Sequence, residues 1–560
     1  MKRTDQNTGK KAMKKMTAMM MASMMIISLV LTGCGATAEG TAVQDATETV
    51  VETEAAEESA EETGEDASVD AEAGTDTDAG TDADTDKNAN AGTANASQTS
   101  TAEVLTADDI EVNETITNST DEEHAITADG ETASYSNIAV EKTGDAEGDE
   151  ADFYGANAAI FATNGATLDL SEITVSTDGT HANGVFSYGE GTNVNISDSV
   201  IETTGNCSGG LMTTGGGTMN ASNLTIHTTG NSSAAIRSDR GGGTVNVTGG
   251  SYTTDGTGSP VIYSTADITV SDAQMESTAS QGVVVEGNNS VTLNNVNLTA
   301  SNTTKNSDKS DWYQEVMIYQ SMSGDAAEGL ASFAMNGGTL TNLNGDIFFV
   351  NNTTATIDLT GASIVNEDEE GVFLRAAAAG WGSEGSNGGH VTMTGSGQTI
   401  DGDMIVDEVS SLNLYLTDSS NFTGAINTDG AAGEVYVEIE DGATWTLTGD
   451  SYITSLTCGA GSINLNGYKL YVNGEEYVEG SSSEGEAIVV ETSSSSGSHD
   501  GAPGSDGSSS DSHGGPGGDG SGHGPGSDGS EPLAKPDGDS SGHGPGSDAD
   551  GSEPPAKPGE

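Results

Sequence analysis

The feature that most constrains this chain is an internal repeat of about 25 residues, seen when successive segments are written under one another. ANAAIFATNGATLDLSEITVSTDGTH starts at Ala156 and ANGVFSYGEGTNVNISDSVIETTGNC at Ala182. SGGLMTTGGGTMNASNLTIHTTGNS follows from Ser208 and SAAIRSDRGGGTVNVTGGSYTTDGTG from Ser233, with two shorter copies from Ser259 and Ser280. Ile160, Val185, Leu211, Ile236, Ile262 and Val284 align in one column. Leu170, Ile196, Ala221, Val247, Val270 and Leu293 form a second, and Val175, Ile201, Ile226, Tyr252, Met275 and Leu298 a third. Gly179, Gly205, Gly230 and Gly256 mark one turn in four copies.

Three short alternating strands per repeat, separated by Gly and Asn turns, predict an all-β solenoid, a right-handed parallel β-helix. Each coil stacks on the next at about 4.8 Å, so every inward aliphatic meets its equivalents above and below. This accounts for a chain with only 33% hydrophobic and 4% aromatic residues. A looser pattern continues beyond an interruption at KNSDKSDWYQEV, which places the helix over 101–480. An antiparallel jelly roll would not give three in-phase columns. Thr177, Thr203, Thr228 and Thr253 are expected as a solvent-facing ladder.

The flanks differ in kind. Lys2, Arg3, Lys10, Lys11, Lys14 and Lys15 precede an apolar run that ends in Leu31-Thr32-Gly33-Cys34. This reads as a lipoprotein signal over 1–33, with Cys34 the lipidated first residue of an exported protein anchored on the outer face of a membrane. Residues 34–100 are Ala, Thr, Glu, Asp and Gly, too polar to bury a core, and are expected to form a disordered acidic tether. Residues 481–560 form a second low-complexity segment, in which SGHGPGSDGSEPLAKP returns as SGHGPGSDADGSEPPAKP. Cys207 and Cys458 lie some ten coils apart, too far for one disulfide, and are expected as free thiols.

The residues that carry the repeat, AIFATNGAT, GVFSYGEGT, GLMTTGGGT and AIRSDRGGGT, resemble the pectate-lyase-like β-helix superfamily. They are similar in particular to its lipid-anchored bacterial surface members, and WTLTGDSYITSL and NLNGYKLYVNG resemble the closing coils of secreted adhesins. That superfamily includes lyases, hydrolases, tailspikes and non-catalytic adhesins, so the resemblance implies a fold and leaves the activity open.

Charge narrows the choice. With 88 Asp and Glu against 16 Lys and Arg, the net charge is −72, which excludes nucleic acid as a partner and disfavours polyanionic substrates. A lyase or hydrolase would place its basic groups on one face, and within the body of the chain, about 126–480, the only basic pair is Arg237 and Arg240, flanking Asp239. That triplet is the candidate catalytic set; the same arginines also suit pairing with acids of adjacent coils. Asp145, Asp149, Glu150 and Asp152 share a stretch that suits Ca²⁺, the one cofactor considered. His181 and Cys207 occupy equivalent turns, but two ligands do not make a metal site. Trp312, Tyr313 and Trp381 fall in loops and are the candidate glycan contacts. The resulting expectation is a non-catalytic, adhesin-like surface β-helix that binds a polysaccharide or a cell-surface partner. The alternatives are a polysaccharide lyase or hydrolase and a structural envelope protein without a specific ligand.

Overall fold

The computed structural model describes residues 104–490, apart from 304–308, 311 and 431, and they fall within one compact unit. The signal segment, Cys34, the acidic stretch to residue 100 and the chain beyond 490 lie outside the described residues.

Apart from two short helical segments, the regular structure of the described residues is β, and its two large sheets are parallel because successive repeats lie in register. Strands Ile160–Thr163, Val185–Tyr188, Leu211–Thr214, Ile236–Ser238 and Ile262–Ser264 pair in turn within an eleven-stranded sheet. The other two strands of each repeat build a nineteen-stranded sheet, in which Asn193–Thr203 and Gly217–Thr228 run through both positions. The result is a stack of coils around one apolar core. The second predicted column holds along its whole length, from Leu170 opposite Ile196 to Val270 opposite Leu293. The third holds likewise from Val175 to Leu298, with Tyr252 buried between Ile226 and Met275.

The first column holds from Ile160 to Ile262 and then slips by one residue: Val283, not Val284, lies opposite Ile262. Three consecutive valines offer no alternation, and a one-residue slip exchanges the inner and outer faces. The Thr ladder also differs from expectation. Thr177, Thr203, Thr228 and Thr254, not Thr253, are in register, and all four are buried at the inner end of their strands. There Thr203 Oγ1 donates to Ser208 O at 2.6 Å and Thr228 Oγ1 to Ser233 O at 2.5 Å, so the hydroxyls close the turn from inside.

The glycine turn is a close-approach device. A β-carbon at Gly205 would lie 1.9 Å from the Gly179 carbonyl oxygen, and one at Gly230 would lie 1.8 Å from that of Gly205. Ser208 and Ser233 hydroxyls donate to those same carbonyls at 2.9 and 3.1 Å. The opposite corner uses left-handed residues with short polar side chains, Asp198, Asn223, Asp272 and Asn295. There Asn223 Nδ2 donates to Asp198 Oδ1, and Asn295 Nδ2 to Asp272 Oδ1, each at 2.7 Å.

Near the C-terminal end Trp445 is fully buried and stacks on Phe422 with centroids 5.5 Å apart. An antiparallel pair, Leu470–Val472 with Glu475–Glu476, follows. Residues 481–490, expected to begin the tail, instead run back along the nineteen-stranded sheet. Ser483 pairs with Cys458, and the Ile488 backbone exchanges two hydrogen bonds with Asn413 at 2.9 and 3.0 Å. These side-chain and bridge contacts hold the segment against the coils.

Candidate functional site

The outer face of the eleven-stranded sheet gathers nearly every residue singled out for chemistry. Along it Phe161, Phe186, Met212, Arg237, Tyr263, Val284, Met317, Phe349 and Arg375 succeed one another in register. A largely apolar row of this length cannot stay in water, and four excursions of the chain roof it. The short helix Asp149–Tyr154 brings Phe153 and Tyr154, the latter edge-on to Tyr188 at 5.7 Å. The segment after Tyr319 brings Asp325 and the buried Ala326. Trp312 packs on Phe349 at 5.7 Å, and Trp381 packs on Tyr319 at 5.3 Å.

Two of the candidate glycan contacts, Trp312 and Trp381, are therefore part of the roof. Trp381 is only 2% exposed, while Trp312 and Tyr313 are half-buried. The Arg375 guanidinium sits 4.5 Å over the Trp312 ring and also donates to Asp346.

Arg237, Asp239 and Arg240 lie together beneath and beside this roof, each engaged. Arg237 Nη2 donates to Asp239 Oδ2 at 2.8 Å, and both side chains are buried. Burial pushes the Asp239 carboxyl up to about 6, against the pull of Arg237. Arg240 Nε donates to Asp325 Oδ1 at 2.6 Å and Nη1 to Asp149 Oδ2 at 3.0 Å, with the guanidinium 3.7 Å from the Phe153 ring. Beyond them Tyr263 and Tyr319 hydroxyls both donate to Glu286 Oε2, whose carboxyl burial holds above its ordinary value. The arrangement is a network, buried at Arg237, Asp239 and Glu286 and open to solvent at Arg240 and Asp149, that clips the roof to the sheet.

The acidic stretch is divided among different partners. Asp145 is exposed and accepts from Thr180 N at 2.8 Å, Asp149 pairs with Arg240, and Glu150 is exposed on the helix. Asp152 points inward and meets His181 Nδ1 at 2.8 Å. Asp152, His181 and Cys207 place one ligand atom each within 4.8 Å of one another, the grouping that the sequence showed only as two turn residues. Of the two cysteines expected as free thiols, Cys458 is free and buried. The Asp152–His181 contact then serves to pin the helix to the turn.

A second surface went unnoticed in the sequence. On the nineteen-stranded sheet an open trough of about 520 Å³ runs along the stack. Asn195 Nδ2 donates to Asp169 Oδ1 at 2.8 Å, Asn220 Nδ2 to Asn195 Oδ1 at 3.0 Å, and Asn246 Nδ2 to Asn220 Oδ1 at 3.0 Å. A parallel row of Ser171, Ser197, Ser222 and Thr248 lines the other side. The signal was available: an outward Asp or Asn at one strand position in four successive repeats.

No family model, no curated protein and no solved structure matches this chain.

Proposed function

We propose that this is a non-catalytic, lipid-anchored surface protein of adhesin type, whose coils form a right-handed parallel β-helix of the pectate-lyase-like kind and bind polysaccharide or a cell-surface partner. A parallel strand–crossover–strand connection is right-handed in about 98% of cases, which supports the handedness. The observation that carries the reading is the fate of the arginines. Arg237, Arg240 and Arg375 are each ion-paired to an aspartate within the roofed face. A groove that attacks acidic sugars needs such groups facing substrate. The lipobox-like Leu31-Thr32-Gly33-Cys34 and the acidic segment after it support display outside the cell on a membrane anchor.

The test is incubation of the purified chain with a panel of neutral and acidic polysaccharides, with and without Ca²⁺. Retention without cleavage is the expected result; release of unsaturated or reducing ends overturns the non-catalytic reading. The anchor is tested by metabolic lipid labelling, which Cys34→Ala is expected to abolish. A Cys34 sulfur in a thioether cannot enter a disulfide, so mass-spectrometric detection of Cys34 in one overturns the anchor.

A further inference from the structure

We infer that the trough on the nineteen-stranded sheet is the ligand site, and that its occupant is a neutral, extended polysaccharide lying along the axis of the stack. The inference deepens the proposed glycan binding and rests on it, but moves the site to a sheet face away from the aromatic loops.

Three observations support it. The first is spacing. Asp169, Asn195, Asn220 and Asn246 stand on four successive strands, one rung apart. Strands in a sheet lie about 4.8 Å apart, so the amides repeat at about the advance of one sugar unit in an extended chain. The row of Ser171, Ser197, Ser222 and Thr248 lies two residues further along each strand, about 7 Å away on the same face. Hydroxyls on both edges of a sugar ring thus meet a polar partner on each side.

The second is hydrogen-bonding capacity. A side-chain amide has two N–H donors and an oxygen with two lone pairs. The ladder uses one donor on each asparagine, and one lone pair on Asn195 and on Asn220. Each asparagine rung therefore keeps a donor and an acceptor for a hydroxyl, which itself both donates and accepts, and Asp169 offers acceptors alone.

The third is charge. Among the residues that line the trough only Asp169 is ionisable, in a chain of net charge −72. A strip with a single carboxylate at one end, within a strongly negative molecule, admits a neutral chain, whereas a polyanion meets the field of the whole protein. The lining carries no aromatic ring for a sugar to stack on. Affinity therefore comes from several rungs acting together and rises with ligand length.

The test uses the full chain and purified oligosaccharides of two to six units, cello- and manno-series, with oligogalacturonides as the anionic arm, by calorimetry. Binding is expected to strengthen up to about four units and then level off, with oligogalacturonides not retained. Asn195→Leu with Asn220→Leu is expected to weaken binding about tenfold or more at an unchanged melting temperature, each 1.4 kcal/mol being tenfold. Asn220→Asp, which keeps the shape and replaces the donor, is expected to act in the same direction. Loss of binding in Trp312→Ala with full retention in both asparagine variants would place the glycan on the roof; the inference would fall while the proposed function stood. Preference for oligogalacturonides would also overturn it. No binding to any member of the panel, neutral or acidic, would remove the glycan reading altogether.

Discussion

Arg237 Nη2 and Asp239 Oδ2 lie 2.8 Å apart with both side chains nearly fully buried, under a roof contributed by chain segments before and after them. Breaking such a pair leaves one charge uncompensated, and Arg237→Met is expected to cost about 3–5 kcal/mol. Replacing both residues by Met and Leu removes the charges together and is expected to cost much less. Chemical denaturation of the two variants checks this. Equal losses would mean that the cost comes from packing.

The same aspartate makes stability depend on pH. Burial raises its folded-state pKa to about 6, above an unfolded value of about 3.9. A carboxyl raised in this way binds its proton more tightly when folded, so its contribution is complete below about pH 4 and is lost as pH rises through about 6. Asp239→Asn is expected to flatten the fall of melting temperature across that window. An unchanged slope would assign the titration elsewhere.

Glu315 lies in the core with neither carboxyl oxygen hydrogen-bonded among the described residues, and Oε1 sits where a β-carbon on Gly282 would meet it at 2.5 Å. Burial raises its pKa well above the ordinary glutamate value, so stability from this group is present below about pH 4.3 and is lost as pH rises through the raised folded value. Glu315→Gln is expected to be more stable than the parent at pH 8 and to lose that advantage at pH 4. Thermal melts at both values check it, and a variant less stable at pH 8 would point to a partner for the carboxylate.

The coils were legible because inward aliphatics at a fixed period can hardly be placed in any other way, as with Leu170, Ile196 and Ala221. The slip at Val283 was not, since VVV has no alternation to read. The roof was invisible for a different reason. Asp149 and Asp325 meet Arg240 across separations of 91 and 85 residues, so no local pattern links them. One sign was present: the pairs Ile160-Phe161, Val185-Phe186 and Leu211-Met212 are apolar at consecutive positions, and a strand of that kind is covered on both faces. The trough residues looked like ordinary exposed Asn and Ser, because their meaning lies in the stacking between coils.

Gly205→Ala puts a methyl group 1.9 Å from the Gly179 carbonyl, where backbone on both sides leaves no room to yield. Because the coils at Gly179, Gly205, Gly230 and Gly256 repeat this approach, relief at one rung displaces its neighbours, and a loss of about 3 kcal/mol is expected, the upper part of the usual range for overpacking. Gly459→Ala, whose nearest neighbours would be side-chain oxygens at 3.4 and 3.5 Å, is the matched control and is expected to be near neutral. Similar losses in both would show that glycine serves chain flexibility and not coil spacing.

Trp381 is the more deeply buried of the two tryptophans of the roof, packed on Tyr319 over a cluster that includes Met317 and Phe349. Trp381→Ala opens a cavity there and is expected to cost about 3–5 kcal/mol. The damage should be local, because the ring lies outside the sheet and the core columns beneath it remain stacked. Limited proteolysis is therefore expected to cut first within residues 377–388, while the asparagine trough keeps its oligosaccharide affinity. Cleavage spread evenly along the coils would show instead that roof and core fold as one unit.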